Sequence, residues 1–210
     1  MRVALAQLSY IPGDISGNRE KIISSIGIAK SGGADLIVFS ELAVTGYPPL
    51  DLLLRSDIIN AAMASVKEIA THCTGIAAIV GGPSPNTGLS GKSLHNSAFF
   101  LQDGTVKAVT SKTLLPTYDI FDEDRYFQPG SIFKPVELNG TRIAITICED
   151  IWDEQPFGDK DLWRLYNVSP LDEIMKENPS LIINIAANPF SHNLSLIHLS
   201  EPTRLRRISY

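Results

Sequence analysis

The chain has few of the residues that staple small secreted domains, and no segment suited to crossing a membrane. Its 210 residues include two cysteines, Cys73 and Cys148, too few for a disulfide framework. A reducing, cytoplasmic compartment is therefore the expectation. No apolar run approaches the roughly 18 residues a membrane helix needs. The opening Met1-Arg2-Val3-Ala4-Leu5-Ala6-Gln7 lacks a long apolar stretch and a small-residue cleavage site, so it reads as a strand rather than a leader. Positive charge is in deficit, with 18 Lys and Arg against 23 Asp and Glu. A net charge of −5 argues against nucleic acid or an anionic membrane as the main partner. Histidine is sparse too. His72 follows a helix, His95 opens a hairpin strand, and His192 and His198 lie near the end, so a Cys–His hydrolase has no well-placed imidazole. What is present, 44% hydrophobic residues and 20% charged residues of both signs, excludes a disordered chain.

Apolar patterning places strands and helices in alternation. Residues 3–9 read as a strand closed by the Pro12-Gly13-Asp14 turn. The pattern predicts a helix over 18–31, capped by Asn18 and stopped by Gly32-Gly33. Asp35–Ser40 is a short, continuously apolar strand of the kind buried on both faces. A second helix is predicted over 56–72, then a buried strand over 76–80 ended by Gly81-Gly82-Pro83. Residues 84–92 read as a loop. Residues 94–101 and 105–112 pair as a hairpin around Asp103-Gly104. Residues 116–131 are irregular, aromatic and acidic. Strands are predicted at 142–147 and 181–185, with a helix near 170–177 between them. The fold class expected is α/β with mixed sheets. No repeat, heptad pattern or interdomain linker is visible.

Three strands end in a polar residue able to do chemistry. The run LIVFS leads into Glu41, VKAVTS into Lys112 and RIAITI into Cys148, which is followed by Glu149 and Asp150. In α/β folds, sites gather at the carboxyl ends of strands. Taken singly, each has an ordinary reading: a small buried hydrophobe for Cys148, solvated loop residues for Glu41 and Lys112. The flanks weaken those readings. Glu41 precedes the apolar Leu42-Ala43-Val44, which suits a dry pocket where a carboxyl group works as a general base. Lys112 precedes Leu114-Leu115-Pro116. Together a thiol nucleophile, a base and a fixed positive charge suffice for amide hydrolysis through a thioester. Cys73, in the last turn of a helix, reads as a buried hydrophobe.

Three segments carry a resemblance to a known family: LIVFSELAVTGYPP around Glu41, SKTLLPTYDIFDEDRYFQPG from Lys112, and RIAITICEDIWDEQP around Cys148. In this Glu, Lys, Cys order they resemble the nitrilase (carbon–nitrogen hydrolase) superfamily. GYPPLDLLLRSDII, YDIFDEDRYF and ICEDIW are similar to the glutaminase domains of glutamine-dependent NAD synthetases within it. The resemblance covers nearly all of residues 1–193. It implies a nitrilase-like α-β-β-α sandwich with mixed sheets, incomplete at the C-terminus. It also implies L-glutamine as substrate, with the released ammonia passing to an ATP-using synthetase domain of the same chain that amidates nicotinic acid adenine dinucleotide. That domain is absent here. No cofactor is implied for this portion; ATP and Mg belong to the missing domain. A homo-oligomer is implied as well.

Carried onto this sequence, the resemblance makes Cys148 the nucleophile and Glu41 the general base. Lys112 stabilises the oxyanion together with the backbone N–H of Glu149. Tyr118, Phe121 and Trp152 line the glutamine pocket, and Glu149 takes the substrate's amino group. Glu123 supports the lysine or orients the site. Asn188, in Ala186-Ala187-Asn188-Pro189-Phe190, stands where the family carries a serine, and can still hydrogen-bond substrate. The second departure is the tail. Residues 194–210, with Arg204, Arg206 and Arg207 against one acid, Glu201, do not continue the family pattern and read as a foreign or read-through segment. Two other readings stay open: a free-standing amidase or carbamoylase acting on a small amide, and a non-catalytic assembly scaffold.

Overall fold

A computed structural model describes residues 1–118, 120–151 and 166–188. Its elements in chain order are β1 (Val3–Leu5), α1 (Ile15–Ser31), β2 (Leu36–Val38), α2 (Ser56–Thr71), β3 (Ala77–Pro85), β4 (Leu94–Gln102), β5 (Thr105–Ser111), β6 (Val136–Leu138), β7 (Thr141–Ile147), α3 (Pro170–Met175) and β8 (Leu181–Ile185). One sheet runs β1-β2-β3-β4-β5, and the other runs β6-β7-β8. In the first, β1, β2 and β3 are parallel and β3, β4 and β5 antiparallel. In the second, β7 is antiparallel to β6 and parallel to β8. Both sheets are mixed, as the sequence suggests.

Side-chain alternation sorts the core into two layers. Ile22 and Ile26 of α1 and Ala62, Val66 and Ile69 of α2 bury against Ile37, Ala78, Val80 and Phe99 on one face of the first sheet. The opposite face presents Leu36, Val38, Ile79 and Phe100 to Ile143, Ile145, Ile147, Ile183 and Ile185 of the second sheet. Successive residues of a strand point to opposite faces, so β2 feeds both layers and every one of its residues is buried. Each buried Ile, Leu or Phe contributes about 1.5–3 kcal/mol relative to exposure. Helix α3 packs on β7. The result is the expected sandwich of helices and two mixed sheets.

Four details depart from the sequence reading. Helix α1 starts at Ile15, and its cap is Asp14, whose Oδ1 accepts from the Gly17 N–H at 2.9 Å. Asn18 is instead fully buried. It accepts from Ile11 N–H and donates to the carbonyls of Ile11 and Val44, tying the first loop to the segment after β2. Strand β1 spans three residues, not seven. Strand β3 continues through Gly81-Gly82-Pro83 to Pro85, because pairing with β4 extends to Pro85 opposite Leu94. Finally β6 joins β7 through Asn139 (φ 50°) and Gly140 (φ 75°). That is a two-residue turn of left-handed residues matched to strand twist, and its Asn-Gly signal is plain in the sequence.

Candidate active site

The topology brings the predicted residues to one end of the sandwich. Strands β2, β3 and β5 point the same way, so Glu41 after β2 and Lys112 after β5 emerge together, and the start of antiparallel β4 lies at the same end. Cys148 follows β7, and Ala187 and Asn188 follow β8, the parallel neighbour of β7.

Glycines allow the close approaches. A Cβ at Gly81 would sit 2.5 Å from Leu42 N and 2.7 Å from Glu41 Cα, so only glycine lets the Glu41 backbone lie on β3. The Val44 N–H donates to the Gly81 carbonyl at 3.1 Å. Lys112 is pinned on both sides: its N–H donates to the Asn96 carbonyl, and its carbonyl accepts from Gly130 N–H, both at 2.8 Å. Cys148 takes a left-handed backbone at φ 48°, a conformation that costs a non-glycine residue on the order of 1–2 kcal/mol. It turns the chain sharply from β7 into the short 3-10 turn Cys148–Ile151.

At the centre is a buried polar cluster. Lys112 Nζ donates to Glu41 Oε1 and to Glu123 Oε1, each at 2.8 Å. Both ion pairs are withdrawn from solvent, with the Lys112 and Glu41 side chains at 0% exposure and Glu123 at 8%. Asn96 Nδ2 joins the two carboxylates, donating to Glu41 Oε1 at 2.8 Å and Glu123 Oε2 at 3.3 Å. The second oxygen of Glu41 accepts from the Ala187 N–H at 3.0 Å, which ties the cluster to the end of β8. Burial works against the charge on Lys112, but the carboxylates of Glu41 and Glu123 outweigh it and hold the ammonium well above the ordinary lysine range. Burial pushes Glu123 up to about 7, against the pull of Lys112 and with the repulsion of Glu41. Two carboxylates sharing one ammonium in a dry site compete for it.

Cys148 adjoins this cluster. Burial raises its thiol far above the ordinary value, and the Glu41 carboxylate adds to the rise. The group therefore rests as a thiol and needs a base to become a nucleophile. Its Sγ donates to Asn188 Oδ1 at 3.7 Å.

A second group lies beside the thiol. Glu149 accepts from the Tyr118 hydroxyl at 2.7 Å and from the Tyr166 hydroxyl at 3.4 Å. Phe121 packs edge-on to Tyr118, with ring centroids 5.7 Å apart. The structure thus gathers Glu41, Lys112, Glu123, Cys148 and Asn188, and sets Tyr118, Phe121 and Glu149 together near Cys148. Trp152 lies outside the described residues, as does the tail 194–210.

Sequence reasoning missed Asn96, Tyr166 and Tyr47. Burial and the charges of Glu123 and Glu41 raise the Tyr47 hydroxyl, which puts that ring at the site. Its signal was the apolar loop after Glu41. The signal for Asn96 was weaker: a polar residue inside the apolar run of β4, a position with 0% exposure. Among the described residues, no group of three or more His, Cys, Asp or Glu is arranged to hold a metal ion, and no helix is long and apolar enough to cross a membrane.

Comparison with known proteins shows the family. A family profile described as Carbon-nitrogen hydrolase matches residues 2–155. The glutamine-dependent NAD(+) synthetase of Synechocystis sp. is 37% identical over 193 residues, covering 90% of this chain and 34% of that protein. The protein of the same name from Thermotoga maritima is 34% identical, covering 90% and 30%. The chain thus spans about a third of the length of these relatives. Among solved structures, the glutamine-dependent NAD+ synthetase of Acinetobacter baumannii superposes with a TM-score of 0.81 at 32% identity, over 97% of this chain and 35% of that one. An amidase from Nesterenkonia sp. AN1 superposes at 0.72 over 97% of this chain and 73% of its own. At 21% identity, that likeness speaks for the fold alone. With its profile match over most of the length and its sandwich of mixed sheets, this chain belongs to the carbon-nitrogen hydrolase family.

Proposed function

We propose that this chain hydrolyses the side-chain amide of L-glutamine through a thioester on Cys148, as the glutaminase portion of a glutamine-dependent NAD synthetase. The observation that carries the reading is the buried Glu41–Lys112–Glu123 cluster beside a thiol whose resting state is protonated. Such a thiol needs an adjacent base, and Glu41 is the carboxylate whose charge acts on it most strongly.

The steps balance as follows. Glu41 takes the Cys148 thiol proton as sulfur attacks the amide carbon. The carbonyl π electrons move to oxygen, giving an oxyanion. Lys112 and the Glu149 N–H stabilise that charge in a water-poor site. Collapse expels ammonia, to which Glu41 returns the proton, and leaves the thioester. Glu41 then takes a proton from water, hydroxide adds to the thioester, and collapse expels the thiolate, which Glu41 reprotonates. Glutamine and water become glutamate and ammonia. Glu123 shares Lys112 with Glu41 and holds the ammonium in place. Glu149, with Tyr118 and Tyr166, presents a carboxylate to the substrate's ammonium group. Phe121 and Trp152 flank the substrate chain, and Asn188 contacts it beside the sulfur.

The ammonia would feed an ATP-dependent amidation in a synthetase domain of the parent protein, where ATP and Mg would bind. This role, a homo-oligomeric state and a cytoplasmic location belong to the same proposal. So does the division of the chain into a glutaminase portion, 1–193, and a foreign tail, 194–210.

The reading is tested by incubating the protein with L-glutamine and, separately, with acetamide and a carbamoyl compound. Glutamate and ammonia from glutamine, with slower release from the small amides, is the expected result. Turnover of a small amide with none of glutamine would replace the reading with that of a free-standing amidase.

A further inference from the structure

The proposed mechanism makes no use of Asp150, although this carboxylate is buried beside the site, at 3% exposure. Its Oδ1 accepts from the N–H groups of Thr113 and Leu114, both at 2.9 Å, and its Oδ2 from the Ile147 N–H at 3.2 Å. The positions of those donors are informative. Thr113 directly follows Lys112, and Ile147 directly precedes Cys148. Lys112 directly follows β5 of the first sheet, and Cys148 directly follows β7 of the second. One carboxylate therefore holds the peptide N–H directly after the lysine and the N–H of the residue directly before the cysteine. These are groups separated by more than thirty residues and carried on different sheets.

We propose that Asp150 is the positioning residue that sets the spacing of the two oxyanion donors, the Lys112 ammonium and the Glu149 N–H. The inference rests on the reading of Cys148 as nucleophile. Oxyanion donors act only when held close to where the charge develops, and displacement of about 1 Å is costly. Nothing else in the hydrogen-bonding described above joins the end of β5 directly to the turn after β7. The turn itself needs an anchor, because Cys148 sits in a left-handed conformation that relaxes unless its surroundings hold it. Three N–H donors aimed at one carboxylate also offer no place for a side chain that must donate. Asparagine fills the same volume but brings an NH2 group to face backbone N–H groups.

The test separates oxyanion chemistry from simple alkylation. Iodoacetamide reacts with Cys148 by displacement: the S–C bond forms, the C–I bond breaks, iodide leaves and no oxyanion appears. Glutamine hydrolysis passes through an oxyanion twice. With the full chain, wild type and Asp150→Asn are compared for kcat and KM on L-glutamine, and for the iodoacetamide rate mapped to Cys148 by mass spectrometry. The expected result is a kcat lower by about 10- to 100-fold, KM within about threefold, and alkylation within about twofold. A kcat within twofold of wild type overturns the proposal, and so does a parallel fall in both rates, which marks a general loss of fold. If the asparagine variant does not fold, Asp150→Glu carries the same comparison. It keeps the charge and both acceptor oxygens but lengthens the arm by one methylene, and the same split between the two rates is expected and the same outcomes overturn it. Absence of glutamine turnover in wild type would remove the reading of the site itself, a result distinct from any of these.

Discussion

Gly81 of β3 lies against the backbone of Glu41, so closely that a methyl group at position 81 would stand 2.7 Å from the Glu41 Cα. The carboxylate at the centre of the site is thus placed by a residue with no side chain. The contact also explains why β3 carries glycine at a buried position where a β-branched residue would otherwise suit the sheet.

Gly81→Ala therefore displaces Glu41. Overpacking at such a contact costs about 1–3 kcal/mol, and the Ser40–Val44 backbone has to move to relieve it. Urea denaturation should show a stability loss in that range, with glutamine turnover reduced at least about tenfold. Unchanged turnover would mean that the loop yields without moving the carboxylate.

Lys112→Met removes the only ammonium bonded to Glu41 and Glu123 among the described residues. Breaking a buried ion pair from one side costs about 3–5 kcal/mol, because the partner charge is left uncompensated. Adding Glu123→Gln to Lys112→Met should restore part of that loss, since one stranded carboxylate disappears. A double variant less stable than the single one would show that the two carboxylates do not compete.

Glu123 gives the protein a pH dependence of definite sign. Its folded value, about 7, lies above the ordinary 4.5, so the folded state binds its proton more tightly than the unfolded state does. The contribution to stability is complete below pH 4.5 and is lost as pH rises through 7, by up to about 3 kcal/mol for the group. Denaturation midpoints measured from pH 4.5 to 7.5 should show a smaller decline in Glu123→Gln than in wild type. Equal slopes would remove Glu123 as the source.

Asn96 donates to both carboxylates, and its Oδ1 is buried without a hydrogen-bond partner, so its donors account for its place at the site. Asn96→Asp removes the donors and adds a third acid beside one lysine. Turnover should fall at least about 100-fold, with a clear loss of stability. Turnover within tenfold would show that the amide is a packing group only.

Glu41 and Lys112 stood out because each follows an apolar run and precedes apolar rather than solvated chain, and Cys148 because its apolar run turns at once to Glu149 and Asp150. The hairpin around Asp103-Gly104 was legible from turn chemistry, since both residues take left-handed angles. Asp14 and Asn18 are chemically interchangeable as caps, and only burial distinguishes them: Asn18 is inside, holding a loop. The Gly-Gly-Pro run that seemed to end β3 is overridden by its pairing with β4, where tertiary context outweighs local propensity. Asn96 and Asp150 meet partners distant in sequence, and no spacing along the chain predicts which buried polar residue will meet which partner.

The central claim is that Cys148 attacks the glutamine amide with Glu41 as its base. A diazoketone analogue of L-glutamine tests it most directly. Incubated with the protein, it should add to one residue, mapped to Cys148 by peptide mass spectrometry. The adduct should vanish in Cys148→Ala and form at least about 100-fold more slowly in Glu41→Gln, with the melting temperature of the latter near that of wild type. Labelling that persists in Cys148→Ala, or that proceeds at the wild-type rate in folded Glu41→Gln, would contradict the account.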